Sequence, residues 1–248
     1  MKAVIPAAGL GTRILPATKA IPKELLSLVD RPMIQYVVEE AAAAGIRDVV
    51  IVTSPGKDAL AAHFAQAPEL ERVLRAKGKD DLLETVRRVE DLANVTFATQ
   101  TEPLGLGHAV GCAKEAVGSE PFAVLLPDEL FGGPGLLDAL IRQYVRFTSP
   151  VIAVLEMPSD EISNYGVVDP EPIGNDLVRI KGFVEKPASA DAPSNLGSIG
   201  RYVLTPDVFE ALERTSPGAG GEIQLTDAVA AVAREKDGYA FIHRGVRH

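Results

Sequence analysis

A loop near the N-terminus combines small residues with two positive side chains at a spacing suited to phosphate chemistry. It follows an apolar run, Lys2–Pro6, that predicts a buried strand. Gly9 and Gly11 have no Cβ, so the backbone amides of the loop can approach an anion closely. Arg13 adds a fork of donors that fits phosphate oxygens, and Lys23 adds a compact second charge. A strand, a small-residue loop and two cations together predict a polyphosphate-binding site.

Two common nucleotide-binding motifs do not explain this loop. A dinucleotide fingerprint requires a third glycine at the position where Ile14 stands. A mononucleotide P-loop requires Gly-Lys-Ser/Thr after the loop, and no such sequence follows. The Gly-x-Gly pair alone is also compatible with a simple tight turn, so the interpretation depends on the longer string around it.

Two further loops follow predicted strands and carry polar residues suited to a nucleotide. Gln100 has two amide donors and a carbonyl acceptor, as recognition of the imide edge of a pyrimidine requires. Gly105 lets the backbone approach a flat base or ribose. Asp128 comes at the carboxyl end of an apolar strand, where ligands bind in open α/β sheets and a carboxylate can hold Mg²⁺. The structural alternatives are a Pro-Gly loop that begins a helix and a solvated acidic turn.

A later segment carries residues suited to a phosphorylated sugar. Glu185 can accept hydrogen bonds from sugar hydroxyls, and Lys186 can bind a sugar phosphate. Gly166 can let a pyranose ring lie against the backbone. The alternative is that Glu185 and Lys186 are simply solvent-facing or paired with each other on a strand.

The elements that must position these residues alternate between short apolar runs and helical patterns, which favours a parallel sheet covered by helices. Beyond about residue 159 the pattern changes to short strand-like pieces separated by Gly, Pro, Asn and Asp, which we interpret as an antiparallel extension. Thr205 is expected to cap a helix that has Pro206 as its first residue. The strands predicted in the first half are Lys2–Pro6, 49–53, 95–98, 122–126 and 150–156; the later ones are 178–185 and 200–205. The predicted helices are 34–44, 57–65 and 224–236, with surface helices within 68–91.

Composition narrows the possible functions. The chain has 248 residues and a net charge of −9, which argues against a broad nucleic-acid surface and requires any phosphate site to be a local positive pocket. No apolar run reaches the roughly 18 residues that cross a bilayer. A single cysteine, Cys112, allows no internal disulfide, and the N-terminus shows no signal-peptide pattern. We expect a cytoplasmic protein that binds neither membranes nor nucleic acids.

Several strings in the chain resemble the sugar-1-phosphate nucleotidyltransferase family. The first cluster is GLGTRILP at 9–16 with PKELL at 22–26. EPLGLGHA at 102–109 and PGAGGEIQLTD at 217–227 are similar to the branch of the family that transfers uridylyl groups to glucose 1-phosphate. The resemblance covers essentially the whole chain. It implies a Rossmann-like, mixed but mostly parallel sheet flanked by helices with an antiparallel sugar-binding extension, Mg²⁺ as cofactor, and UTP and glucose 1-phosphate as substrates.

The resemblance also implies roles for individual residues. Arg13 and Lys23 would be catalytic, and Asp128 would be a metal ligand. The implied nucleotide-binding residues are Ala8, Gly9, Gly11, Glu24, Gln100 and Gly105. The implied sugar-phosphate-binding residues are Gly166, Glu185, Lys186 and Gly200. We expect one nucleotidyltransferase domain over 1–248, with a nucleotide-binding half at about 1–158 and a sugar-binding half at about 159–248.

Three alternatives stay open at this point. In the family the run matching RGVRH at 244–248 is followed by an aspartate that completes the metal site, and then by helices that help to form oligomers. The sequence stops at His248; if that segment is truly missing, we expect the homo-oligomer to be weakened, and a truncated form that binds UDP-glucose without turnover is one alternative. A glucose-1-phosphate thymidylyltransferase is the second. A nicotinamide-dependent oxidoreductase is the third, although the missing third glycine opposes it.

Overall fold

The structure of the chain is a computed structural model that describes residues 1–132 and 135–248. Its regular elements alternate along the first half of the sequence, as the apolar runs predict. The strands are β1 (Lys2–Pro6), β2 (Ser27–Leu28), β3 (Arg31–Pro32), β4 (Asp48–Thr53), β5 (Asn94–Thr99), β6 (Phe122–Leu125), β7 (Val151–Glu156), β8 (Gly166–Pro172), β9 (Leu177–Glu185), β10 (Leu196–Leu204) and β11 (Tyr239–Ile242). The helices are α1 (Met33–Ala43), α2 (Asp58–Phe64), α3 (Pro68–Ala76), α4 (Asp80–Glu90), α5 (Leu106–Gly111), α6 (Lys114–Val117), α7 (Leu136–Phe147), α8 (Asp207–Arg214) and α9 (Leu225–Lys236).

Nine of these strands form one mixed sheet in the order β5-β4-β1-β6-β10-β7-β11-β9-β8. Strands β5, β4, β1 and β6 run parallel to one another. Strand β10 is antiparallel to both of its neighbours, β11 is parallel to β7, and β9 and β8 are antiparallel. The expected α/β fold with a mixed sheet and an antiparallel extension is therefore confirmed. The all-parallel part of the sheet consists of β5, β4, β1 and β6.

The core lies on both faces of this sheet. In β1, Val4 packs into one apolar cluster and its neighbours Ala3 and Ile5 into the other, because successive side chains of a strand point to opposite faces. All three are fully buried, as expected for a parallel strand covered by helices on both sides. The carboxyl ends of β1, β5 and β6 consequently meet at one edge of the sheet. The loops that follow them carry the candidate nucleotide and metal residues.

The predicted elements of the first half differ from the observed ones by one residue at most. In the second half β10 begins at Leu196, four residues before the expected start, and β8 and β11 are not predicted by the sequence pattern. The expected cap was also wrong, because helix α8 begins at Asp207 with Pro206 before it and no side chain caps it. Helix α3 has no buried residue and α4 buries Leu83, so the charged stretch 68–91 does form surface helices.

Across the described residues, no helix is both long and apolar enough to span a membrane.

Candidate active site

Two adjoining clefts open at the carboxyl edge of the parallel strands. The first, about 420 Å³, is lined by the loop after β1, by Gln100 and by the start of α5. The second, about 360 Å³, lies between that edge and the antiparallel extension. Four residues line both clefts, namely Leu106, Leu126, Asp128 and Glu222. Because Asp128 lies where the clefts join, it is positioned to face two ligands at once.

The two residues predicted to carry opposite charges in the chemistry lie in contact. Lys23 Nζ is 2.6 Å from Asp128 Oδ2, across 105 residues of sequence. The Asp128 side chain is about half exposed, so its charge is stabilised by water as well as by the lysine. Arg13 lines the second cleft and has no partner among the described residues, so its guanidinium is available for an anion.

The loop after β1 is held from below by a lysine that the sequence pattern does not single out. Lys57 Nζ donates to the carbonyl oxygens of Ala7 at 2.6 Å and Gly9 at 2.7 Å. It also pairs with Glu24 Oε2 at 3.1 Å. Glu24 is only 1% exposed, so this predicted nucleotide-binding residue lies beneath the loop and does not line either cleft. A single lysine just before a short helix gives no sequence signal of such a contact.

The other predicted residues of this loop fall into two groups. Ala8 and Gly9 line the first cleft. Gly11 does not, and its φ of +66° together with the hydrogen bond from Thr18 Oγ1 to its carbonyl, at 2.7 Å, marks it as a turn residue. The requirement for glycine at this position is therefore conformational.

Gln100 lines the first cleft, but its amide nitrogen is already engaged inside the protein. Nε2 donates to the Gly105 carbonyl at 3.1 Å and lies 2.9 Å from His108 Nδ1. In the His108 tautomer with Nδ1 unprotonated, both Nε2 hydrogens are used, and the carbonyl Oε1 is left as the group that can accept from a base. Of the two donors and one acceptor predicted to recognise an imide edge, the Gln100 side chain therefore offers a base only its carbonyl oxygen.

Gly105 and Gly107 pack closely against residues 222–224 of the protein, whereas the sequence predicts that Gly105 admits a base or ribose. A Cβ at Gly105, where φ is +97°, would lie 2.7 Å from Glu222 Cβ, and one at Gly107 would lie 2.7 Å from the Ile223 carbonyl oxygen. The glycines therefore let α5 pack against residues 222–224. This contact brings Glu222 to the junction of the clefts, and Gly105 still lines the first cleft.

The second cleft brings the predicted sugar-binding residues together. Gly166, Glu185, Lys186 and Gly200 all line it. Glu185 Oε2 accepts a 2.5 Å hydrogen bond from Thr226, and its Oε1 is 3.3 Å from Lys186 Nζ. A Cβ at Gly166 would lie 3.1 Å from Glu185 Oε2, so the glycine leaves room for that carboxylate.

A second carboxylate and an arginine near the C-terminus complete this cleft. Glu129 Oε2 accepts from Arg247 Nε at 3.0 Å and from the Gly200 amide at 3.2 Å. Arg247 Nη1 also donates to the Tyr165 hydroxyl at 2.8 Å. Burial raises the pKa of Glu129 despite the nearby Arg247. Sequence reasoning missed Arg247, because its partners lie more than 80 residues away along the chain.

A fully buried arginine ties the loop that carries Asp128 to the rest of the fold. Arg201 binds the Glu40 carboxylate of α1 through Nε and Nη2, the latter at 2.7 Å. Its remaining N–H groups donate to the carbonyl oxygens of Leu126 and Gly200, through Nη1, and of Glu129, through Nη2. All five donors of the guanidinium are used. Two of the acceptors, Leu126 and Glu129, flank Asp128, so Arg201 fixes the backbone on both sides of it.

Gly200 lines the second cleft where its backbone packs closely against the Leu126 side chain. A substitution at Gly200 tests whether the fold depends on this contact. A Cβ at Gly200 would lie 2.5 Å from Leu126 Cβ, so we expect Gly200→Ala to lower the free energy of unfolding by about 1–3 kcal/mol. Urea unfolding of the full chain measures the change. The matched control is Gly111→Ala in α5, where an added Cβ meets nothing within 4 Å outside its helix, and stability should stay level or rise by up to about 1 kcal/mol. Equal effects at the two glycines would contradict the packing argument.

A divalent cation fits the residues at the junction of the clefts. Among the described residues, no group of three or more His, Cys, Asp or Glu is arranged to hold a metal. Asp128 nevertheless offers a half-exposed carboxylate in the cleft where phosphates would lie. Mg²⁺ is commonly bound by one or two carboxylates together with substrate phosphates and water, so this donor set is compatible with it. Nucleotidyltransferases generally use a divalent metal.

The fold and the site together define a class of protein. A Rossmann-like mixed sheet with a small-residue loop, a lysine and a carboxylate at its carboxyl edge, next to a second polar cleft, is typical of transferases that use nucleotides. The model of the family described as Nucleotidyl transferase matches residues 2–246, and the chain belongs to this family.

Relatives and solved structures are similar over nearly the full length. The UTP–glucose-1-phosphate uridylyltransferase of Bacillus subtilis (strain 168) is 50% identical, and the match covers 100% of this chain and 85% of the relative. A crystal structure of a UDP-glucose pyrophosphorylase complexed with UDP-glucose has a TM-score of 0.91 and 40% identity, over 100% of this chain and 92% of that one. A UTP-bound UGPase from Acinetobacter baumannii has a TM-score of 0.91 and 42% identity, over 99% and 87%.

Proposed function

We propose that the chain is a UTP–glucose-1-phosphate uridylyltransferase, which makes UDP-glucose and pyrophosphate. The observation that carries the proposal is the pair Lys23–Asp128 at the junction of two clefts, one with a phosphate-binding loop and one with sugar-binding groups. Relatives named for this activity, and solved structures titled with UTP or UDP-glucose bound, support the choice of substrates.

The nucleotide would occupy the first cleft. The loop at Ala8 and Gly9 would bind the triphosphate through backbone N–H groups, which suit an anion and make no hydrogen bond within the described part of the chain. Gln100 would accept the imide N–H of the base through Oε1, since its Nε2 is already used. Gly105 lies at the wall of this cleft, where a base or ribose would lie against the backbone.

The sugar phosphate would occupy the second cleft. Lys186 would bind its phosphate, and Glu185 would accept hydrogen bonds from sugar hydroxyls beside Thr226. Gly166 and Gly200 would form the wall against which the ring lies. Both glycines would also serve packing, because an added Cβ at either would clash.

The chemistry requires positioning and charge neutralisation more than proton transfer. Because a sugar phosphate is anionic at neutral pH, no general base is needed to create the nucleophile that attacks the α-phosphorus in line. Lys23 would leave its partner Asp128 and neutralise the charge that develops at the α-phosphate. Arg13 lines the second cleft directly after Thr12 of the first, and it would reach from there to hold the β- and γ-phosphates that leave as pyrophosphate. Mg²⁺ held by Asp128 would supply electrostatic stabilisation of the phosphate oxygens when bound.

The test is pyrophosphate release with glucose 1-phosphate, Mg²⁺ and each of UTP, dTTP, ATP, CTP and GTP. We expect release with UTP to exceed release with ATP, CTP and GTP by about tenfold or more, since these bases do not present the imide edge that Gln100 would read. Because thymine has the same imide edge as uracil, the comparison with dTTP tests recognition elsewhere on the nucleotide. A preference for dTTP would instead support a thymidylyltransferase. Binding of UDP-glucose with no release from any nucleotide would support the form without turnover.

Three sequence-based expectations accompany this proposal. The nucleotide half at about 1–158 and the sugar half at about 159–248 remain a prediction, as do the homo-oligomer and the cytoplasmic location.

A further inference from the structure

We infer that Lys57 is a positioning residue that turns the backbone amides of the phosphate-binding loop toward the nucleotide. This inference rests on the proposed function, because it assumes that the ligand of the first cleft carries phosphates.

Lys57 donates hydrogen bonds to two carbonyl oxygens of the loop. Its ammonium group accepts nothing and has three donors, and the structure uses them on the Ala7 carbonyl, the Gly9 carbonyl and the Glu24 carboxylate. The Lys57 side chain is 11% exposed and Glu24 is 1% exposed, so the pair forms a largely buried support under the loop. No other described lysine binds two carbonyl oxygens of one loop in this way.

The geometry of the peptide bond converts these hydrogen bonds into an orientation of donors. In a planar trans peptide the N–H of one residue points away from the C=O of the residue before it. With the Ala7 and Gly9 carbonyls directed at Lys57, the N–H groups of Ala8 and Leu10 point away from it, toward the cleft that both residues line. Within the described residues neither N–H has a protein acceptor. Two unpaired donors aimed into a cleft suit an anion.

The pairing with Glu24 explains how a charged lysine can lie largely buried under the loop. Glu24 neutralises the ammonium locally, so the role of Lys57 is to hold carbonyls and not to attract phosphate at long range. The predicted role of Glu24 in nucleotide binding thereby becomes indirect: it holds Lys57, which holds the loop.

The experiment compares the binding of UTP and UMP to the full chain by isothermal titration calorimetry, in buffer with EDTA so that only protein groups contribute. We expect the ratio of UTP to UMP affinity to fall by about tenfold or more in Lys57→Met, because a loop without its support no longer presents both N–H groups to the charged phosphates. Affinity for UMP should change by about threefold or less, since base recognition by Gln100 lies elsewhere in the cleft. A general loss of structure would lower the affinity for UTP and the affinity for UMP together.

Controls separate the role of Lys57 from a folding defect. Lys57→Met leaves the Glu24 carboxylate buried and unpaired, so the double variant Lys57→Met/Glu24→Gln removes that charge and should show the same fall in the ratio in a more stable protein. Lys77→Met, on an exposed lysine after α3, should leave the ratio unchanged. An unchanged ratio in a folded double variant would overturn the inference about Lys57. A parent chain that releases no pyrophosphate from UTP and glucose 1-phosphate with Mg²⁺ present would contradict the proposed function itself.

Discussion

Replacement of Lys23 by methionine should lower the rate of pyrophosphate release by about 100- to 1,000-fold, with little change in stability. Methionine keeps the apolar stem of the side chain and removes only the ammonium group. That group is within 2.6 Å of Asp128 and lies in the cleft assigned to the nucleotide, so its charge is available where the α-phosphate would be attacked. Removing one preorganised donor of this kind typically costs about 3–4 kcal/mol of transition-state stabilisation.

The expected effect on folding is small because the ion pair is partly solvated. The Asp128 side chain is about half exposed, and a pair of this kind contributes about 0–1 kcal/mol to stability. The measurements are kcat at saturating UTP and glucose 1-phosphate, and the urea midpoint of the same preparation. Lys19→Met is the matched control, since Lys19 is an exposed lysine of the same loop region that lines neither cleft. A Lys23 variant that retained kcat within about threefold of the parent would remove Lys23 from the chemistry.

The first half of the fold could be predicted because local sequence there dictates structure. Runs such as 49–53 are β-branched throughout and apolar over their first four residues, which is the composition of a parallel strand buried on both faces. Strand β11, in contrast, has four residues and lies between β7 and β9, with which it pairs. Its formation depends on pairing with distant segments, which a window of sequence does not contain.

The residues of the candidate site likewise fall into those that local sequence can locate and those that only the tertiary fold brings into place. Residues that follow a strand, such as Asp128 and Gln100, could be located from the sequence because the ends of parallel strands meet at one edge. The groups that hold them could not. Lys57 reaches Glu24 over 33 residues, and Arg201 reaches Glu40 over 161. Such interactions depend on the tertiary fold and have no local pattern.

Glycines illustrate how a correct residue can be predicted for an incomplete reason. The sequence predicts that Gly105 admits a base, and it does line the first cleft, but its missing Cβ is required by the backbone and side chain of residues 222–223. Gly200 likewise lines the second cleft and is required by Leu126. In both cases the glycine allows two segments to meet, and the cleft is formed by their meeting.

Replacement of the fully buried Arg201 should cost several kcal/mol of stability, on the order of 3–5 kcal/mol. We expect Arg201→Met to lower the free energy of unfolding by about 3–5 kcal/mol, because it leaves the Glu40 carboxylate without its partner next to the core. It also removes the arginine donor from three carbonyl oxygens, those of Leu126, Glu129 and Gly200, of which the last keeps the Leu126 backbone N–H as a donor. Urea unfolding monitored by far-UV circular dichroism measures the change. The control, Arg88→Met, breaks an exposed pair with Glu84 and should cost about 0.5 kcal/mol or less.

A double variant separates the two parts of this cost. In Arg201→Met/Glu40→Gln the unpaired charge is removed while the three carbonyl oxygens still lack the arginine donor, so we expect only part of the stability to return. The part that does not return belongs to the loop on either side of Asp128. If the double variant recovered the full stability of the parent, the carbonyl hydrogen bonds would contribute nothing, and Arg201 would serve only as the partner of Glu40. If it recovered none, these hydrogen bonds would account for the whole effect, and the main role of the buried guanidinium would be to hold the backbone that presents Asp128.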